Sequence, residues 1–203
     1  MPRKKRHFQQ ERAERTYHSI LEAAAKVFPK KGFDKTQVPD VARAAGISVG
    51  AVYRYFDDKR ELFLEMIESE LASARADVTA RLAPENFAGT SPIDAIDRVL
   101  DVLFERVKKN PALTKVYLAM SLTDRDVARI RQETEQHDRA ALAAMIAAAL
   151  PGRVADAAAA SLLLERAVSS VAVECALGGK TVDERAAKTE LRTMVLRYLF
   201  GVG

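Results

Sequence analysis

Cysteine is nearly missing from this chain of 203 residues: Cys175 stands alone, which excludes a disulfide framework and any CxxC metal or redox pair. Histidine is scarce as well. His7, His18 and His137 are scattered, no HExxH motif occurs, and glycine-rich phosphate loops are absent. An enzyme reading finds no constellation to rest on, and neither a cofactor nor a metal is expected. No run approaches the eighteen uninterrupted apolar residues of a spanning helix, and no apolar stretch follows the basic start MPRKKRHF. The expectation is a cytoplasmic chain with no membrane partner. Strand-like alternation does not persist anywhere, which leaves helices.

What is present begins with an uneven charge. Residues 1–60 carry 14 Lys or Arg against 7 Asp or Glu, a difference of +7, while the remaining 143 carry 18 against 21, a difference of −3. A positive field confined to the N-terminal third suits a head that meets a polyanion and a body that does not. A solvated charged tail is the plainer alternative. At this length the chain holds one sizeable core, or a small head on a larger body.

Periodicity places the elements. Tyr17, Ile20, Leu21, Ala24, Val27 and Phe28 recur at helical spacing over Gln10 to Lys26, with Lys30, Lys31 and Gly32 closing that helix and Pro29 awkward within it. Thr36 reads as the N-cap of a short helix from Gln37 to Ala45, with Pro39 in its first turn and Asp40 near its positive end. Gly46 supplies a turn, Ser48 caps again, and a third short helix runs to about Tyr55, completing a helix-turn-helix. Asp57 or Asp58 caps a long helix from Lys59 through Leu82, and Pro84 to Pro92 forms a linker. Five further helices are expected, ending with Val154 to Leu177 and Val182 to Phe200. The fold class is all-α, with about nine helices: a head at 1–58 and a bundle-like body at 59–203.

The last two helices are apolar beyond what one neighbour needs. Leu162, Val168 and Val171 on one, and Leu191, Met194, Val195 and Tyr198 on the other, fit two readings. They are central elements of a monomeric core, or half of a four-helix seam completed by a second copy.

The stretch GISVGAVYRYFDDKRELF, Gly46 to Phe63, carries the most chemistry. Ser48, Val49, Gly50 and Ala51 are small enough to let a helix backbone approach base edges in a major groove. Ser48, Tyr53 and Tyr55 offer hydroxyls to phosphate oxygens, and Lys59 adds a cation. Val52 and Phe56 are expected to turn inward against Val41, Ala42 and Phe28.

From Thr36 through VPDVARAAGISVGAVYRYFDDKRELF the chain resembles the DNA-binding signature of the TetR family, the tetracycline-repressor-like one-component regulators. The likeness rests on the Val41–Ala42 pair, Ala45 to Ser48, Gly50, Tyr53, Tyr55, Phe56, Lys59, Leu62 and Phe63 in order, with Ile20, Ala23, Ala24, Phe28, Gly32 and Phe33 in the first helix. It covers the first third of the chain. Pro29 and Pro39 depart from the usual pattern, the first placing the opening helix at risk of a kink. The resemblance implies contact with a near-palindromic double-stranded DNA operator through Thr36, Arg43, Ser48, Val49, Gly50, Ala51, Tyr53, Tyr55 and Lys59. The arm Arg3, Lys4, Lys5 and Arg6 either joins them or is a charged tail.

For the body, the resemblance implies a homodimer joined through its last two helices and a cavity for a small effector. Met66, Phe104, Tyr117, Met120, His137, Glu165 and Cys175 are the candidates to line it, as flexible, aromatic or polar groups on otherwise apolar helix faces. The alanine-rich runs 140–149 and 155–160 imply very close helices or a void, and a void fits a mainly apolar or amphipathic ligand. The resemblance thus implies a repressor released by its effector. Two alternatives remain: a regulator that activates or acts without an effector, and a helical protein-interaction module.

Overall fold

The computed structural model describes residues 3–178 and 182–201, with 3–10 and Pro84 described by their backbone alone. Nine α-helices run through these residues without a strand: α1 Arg3–Lys31, α2 Val38–Ala45, α3 Val49–Val52, α4 Lys59–Arg81, α5 Pro92–Lys108, α6 Pro111–Met120, α7 Arg125–Ala149, α8 Ala157–Leu177 and α9 Glu184–Phe200. The expected linker contains a single 3₁₀ turn at Pro84–Phe87.

Local chemistry accounts for most boundaries. Carboxylates start three of the later helices, because each accepts first-turn N–H groups that no preceding residue can reach. Asp124 Oδ1 takes the Asp126 and Val127 amides, Asp156 Oδ1 those of Ala158 and Ala159, and Asp183 Oδ1 those of Arg185 and Ala186. Asp156 and Asp183 move the starts of α8 and α9 past the expected Val154 and Val182. Asp58, rather than Asp57, caps α4 through the Glu61 amide at 2.8 Å.

The head differs from expectation in three places. Pro29 does not end or shorten α1, which continues to Lys31, although the residue has no amide N–H to give the helix. Thr36 is not a cap. Its hydroxyl donates to the Gly32 carbonyl at 2.7 Å and the residue is fully buried, while Gln37 stands in the N-cap position with its amide donating to Asp40 at 3.1 Å. The third helix stops at Val52, with Tyr53 to Tyr55 in the turn that follows.

Packing groups the chain into two compact units that cut across chain order. One comprises residues 1–73 and 112–128, the other 74–111 and 129–203, so the boundary runs inside α4 and again inside α7. The first unit has an aromatic core: Phe28 meets Phe63 edge-on at 5.0 Å, Phe33 meets Phe63 at 5.2 Å, and Tyr17 stacks on Phe56 at 5.4 Å. Val41, Ala42, Val52 and Phe56 are buried there, as the inward pattern required.

The second unit is built mostly on aliphatic side chains, in two clusters. Leu100, Phe104, Val168, Ala172 and Leu191 form one, with Val171 and Cys175 packed against it; Ile146, Ala160, Leu164 and Val195 form the other. Val168, Leu191 and Val195 therefore point into their own chain's core and not outward to a seam. Leu162, Met194 and Tyr198 are the members of that set left exposed, together with Leu163 and Met145. The alanine run at 140–149 neither packs closely nor lines a void along most of its length: Ile146 is its one buried residue, and six of its seven alanines are exposed.

Candidate nucleic-acid interface

The interface is built by the α2–α3 turn. Gly46 terminates α2 with φ 69°, a left-handed conformation costly for residues with a Cβ, and its amide reaches the Ala42 and Arg43 carbonyls. That reversal brings Ser48 into position to cap α3, its Oγ accepting the Ala51 amide at 3.2 Å. The Ser48 hydroxyl proton is not consumed by this bond and can still be donated to a phosphate.

Along α3 the surface is low. Ser48 and Gly50 are exposed, Val49 and Ala51 half-buried, and Val52 turned into the core. A Cβ added at Gly50 would meet nothing within 4 Å, and no positive φ requires glycine there. The fold itself thus gives no reason for the missing side chain, while glycine inside a helix costs about 1 kcal/mol relative to alanine. Absence of bulk on an exposed helix face is what close approach by an outside surface needs.

Polar groups ring this low face. Tyr53 is half exposed and Arg54 exposed, while Tyr55 is held at 6.3 Å from the Tyr17 ring. Lys59, at the start of α4, is anchored: its ammonium donates to the Phe33 carbonyl at 2.9 Å and that of Asp34 at 3.2 Å, and lies 4.5 Å from the Phe33 ring centre. Two of its three donors are engaged, leaving one for a phosphate. Arg43 is exposed with its guanidinium 3.7 Å from Asp40. Asp40 itself is held below the ordinary carboxylate range, chiefly by the Lys31 ammonium at 2.7 Å and then by the Gln37 amide, so its charge is locally matched.

Thr36, fully buried, is a support of the α1–α2 turn and not a contact residue. The backbone of α1 extends through Arg3, Lys4, Lys5 and Arg6, which places these residues on a helix and not in a separate arm; their side chains lie outside the described residues.

Three residues escaped the sequence reading. Arg54 lies between the two tyrosines, and its charge in that stretch was the available signal. Tyr17 looked like an ordinary stripe residue, yet it stacks on Phe56 and donates to Glu65 Oε2 at 2.6 Å; burial first, then this bond, pushes its phenol up to about 12. Arg60 forms a two-pronged bond with Asp124 at 2.7 and 2.9 Å and reaches Asp126 at 2.6 Å. No local pattern relates position 60 to position 124.

The seven cavity candidates are not brought into one described pocket. Met66, Tyr117 and Met120 belong to the first unit, and Phe104, His137, Glu165 and Cys175 to the second. Met66 and Phe104 are fully buried core residues, and His137 is exposed. Glu165 Oε2 is buried and accepts no hydrogen bond, and it lies 3.6 Å from the Arg166 guanidinium. Burial raises the Cys175 thiol, aided by Glu184 and Glu174. Two surface pockets of about 490 and 500 Å³ lie along α9, the first lined by Glu190, Thr193, Met194, Arg197 and Tyr198. Neither is lined by any of the seven. Among the described residues no group of His, Cys, Asp and Glu could hold a metal, and no helix is long and apolar enough to cross a membrane.

Comparison with known proteins agrees with this geometry. The HTH-type regulator YfiR of Bacillus subtilis, itself uncharacterized, is 48% identical over 52 residues, 26% of this chain and 25% of that protein. The curated relatives in general are matched over about a quarter to two-fifths of their own length. A transcriptional regulator from Rhodococcus superimposes with a TM-score of 0.72 at 22% identity, covering 91% of this chain and 96% of that one. A regulator from Saccharomonospora viridis, solved in complex with choline, does so with 0.73 at 14% identity over 90% and 96%. At such identities these structures establish the fold. The profile described as bacterial regulatory proteins, tetR family, matches residues 20–66, and that described as the tetracyclin repressor-like C-terminal domain matches residues 91–199. With over half of its length in the C-terminal match alone and the helix-turn-helix in the other, the chain belongs to the TetR family of regulators.

Proposed function

We propose that this protein is a one-component transcriptional repressor that binds a near-palindromic operator as a homodimer and leaves it when a small apolar or amphipathic ligand occupies the body. Residues 1–58, joined by Lys59 at the start of α4, meet the DNA, and the rest of 59–203 dimerises and takes the ligand. The observation that carries the DNA reading is Gly50: an exposed helical glycine with open space around it and no conformational need for it. In a major groove that vacancy admits base edges and phosphates which a side chain would hold off. Ser48, Tyr53, Tyr55 and Lys59 then position the helix on the phosphates, while Val49, Gly50 and Ala51 face the bases.

The homodimer is supported by the exposed apolar side chains Leu162, Leu163, Met194 and Tyr198 on α8 and α9. Exposed hydrophobic surface rimmed by polar groups is what an oligomer covers. The ligand reading rests on family membership and on the buried, hydrogen-bond-free Glu165 oxygen within the body.

The test is selection of duplexes from a random pool by the full chain, followed by footprinting and mass measurement. An inverted repeat with half-sites about 34–36 Å apart, or a multiple of it, protected by a dimer is the expected result. Failure to enrich any duplex would sink the DNA reading. A monomeric mass at micromolar concentration would sink the dimer.

A further inference from the structure

The α6–α7 corner is part of the DNA-reading unit although it lies far along the chain. Residues 112–128 pack with 1–73, and α7 passes into the other unit only beyond Ala128. The join to α4 is specific. Arg60 Nε and Nη2 donate to the two carboxylate oxygens of Asp124 at 2.7 and 2.9 Å, and Nη2 also reaches Asp126 at 2.6 Å. Asp124 is three-quarters hidden or more, with 14% of its side chain exposed, and also caps α7 through the amides of Asp126 and Val127.

A planar fork on a carboxylate defines direction as well as attraction, which distinguishes this pair from a loose surface contact. The neighbouring residue explains why direction matters. Lys59 ties the same first turn of α4 to the Phe33 and Asp34 carbonyls beside the head's first turn. Consecutive residues thus pin the start of α4 from two sides, one to the α1–α2 turn and the other to the start of α7.

We propose that Arg60 is a positioning residue for operator binding: through Asp124 and Asp126 it holds the first turn of α4, and with it the Lys59 ammonium, in register with α3, without itself touching phosphate. This rests on the DNA reading above. It predicts an effect whose sign simple electrostatics would reverse. Removing the Asp124 charge makes the protein more positive and on Coulombic grounds should tighten its hold on a polyanion. If Asp124 acts through Arg60, the same change weakens binding.

The experiment uses the full chain and the duplex it selects from a random pool, titrated at several salt concentrations. Asp124→Asn keeps a good helix cap and removes the charge. Arg60→Gln removes the fork, at a side chain that is 44% exposed and hence tolerant of change. Each is expected to weaken binding roughly 3- to 30-fold, the range of mutations that act through a coupled contact. The slope of log affinity against log salt should stay unchanged. Tighter binding by Asp124→Asn overturns the proposal. So does a slope reduced by about one in Arg60→Gln, which would make Arg60 a phosphate contact. Unaltered affinity in both variants overturns it equally, whereas failure of the unmodified chain to select any duplex would remove the DNA reading and this inference together.

Discussion

The two packing units solve the same problem with different materials. The first gathers α1, α2, α3 and the start of α4 around Phe28, Phe33, Phe56 and Phe63, with Tyr17 stacked at the edge. The second uses leucine, isoleucine, valine and alanine around the buried ring of Phe104, and ties its helices with ion pairs at the rim. Arg192–Asp97 and Lys188–Asp101 at 2.9 Å and Lys108–Glu184 at 3.0 Å run as a ladder between α5 and α9, and Arg166–Glu135 at 2.5 Å joins α8 to α7. Large rings define one geometry, as suits a unit whose α3 must be presented in a fixed pose. Aliphatic side chains with small residues between them can repack at lower cost, as suits a unit proposed to answer a ligand.

The largest test of this contrast is in the cores. Leu191→Glu places a carboxylate among Leu100, Phe104 and Val168 and should cost several kcal/mol, unfolding the second unit. Met194→Glu, on the exposed side of the same helix, should leave helicity intact and change only the mass in solution. Phe63→Ala should cost about 3–5 kcal/mol in the first unit. Circular dichroism with denaturant, read beside light scattering, separates these outcomes. Equal behaviour of the Leu191 and Met194 variants would contradict the assignment of faces.

A pair of glycines sharpens the comparison inside the reading unit. Gly46→Ala forces a Cβ into φ 69° and should destabilise by about 1–2 kcal/mol, with no clash involved. Gly50→Ala meets open space and should stabilise by up to about 1 kcal/mol while weakening the selected duplex. Thermal melting and duplex titration of the two variants give opposite signs on stability and, for Gly50, opposite signs on stability and binding.

The units also differ in response to pH. Tyr17, raised from 10.0 to about 12 by burial and Glu65, favours its neutral form in the folded head. Its contribution is complete below pH 10 and is lost as pH rises through 12, so phenol absorbance should lag in one tyrosine and head melting should follow it. In the body, burial alone would raise Glu135, but Arg131 and Arg166 outweigh it and hold the carboxyl below its ordinary range. That stabilisation is present above the ordinary carboxylate range and disappears as pH falls through the lowered value. Arg166→Gln should flatten the acid limb of the melting curve.

The smallest effect belongs to the ladder. Arg192→Gln should cost less than about 1 kcal/mol, and less again at high salt, because the pair is partly exposed. A larger, salt-insensitive loss would show that this pair is shielded from solvent and contributes more than an exposed ion pair does.

Much of the head was legible because its signals are local. Gly46 as a turn and Ser48 as a cap act through residues no more than four apart, and the inward facing of Val52 and Phe56 follows from helical spacing. Thr36 misled for a related reason. A threonine before a helix has the chemistry of a cap, but the buried space under the Gly32 carbonyl claims its hydroxyl instead. In the body, helix existence was readable and the choice of face was not. Leu191 and Met194, or Val168 and Leu162, are equally apolar by sequence, and only their neighbours decide which is core.

The sequence by itself determined that the chain is helical, where most helices begin and end, and that a helix-turn-helix with a low third helix stands near its start. These follow from capping, backbone conformation and periodicity, which operate within a few residues. Tertiary structure alone decided that α6 and the start of α7 join the head, that Arg60 grips Asp124 across 64 positions, and which stripes of α8 and α9 are spent inside the chain. Such contacts depend on how helices far apart in sequence pack their surfaces, and neither spacing nor composition specifies the partner.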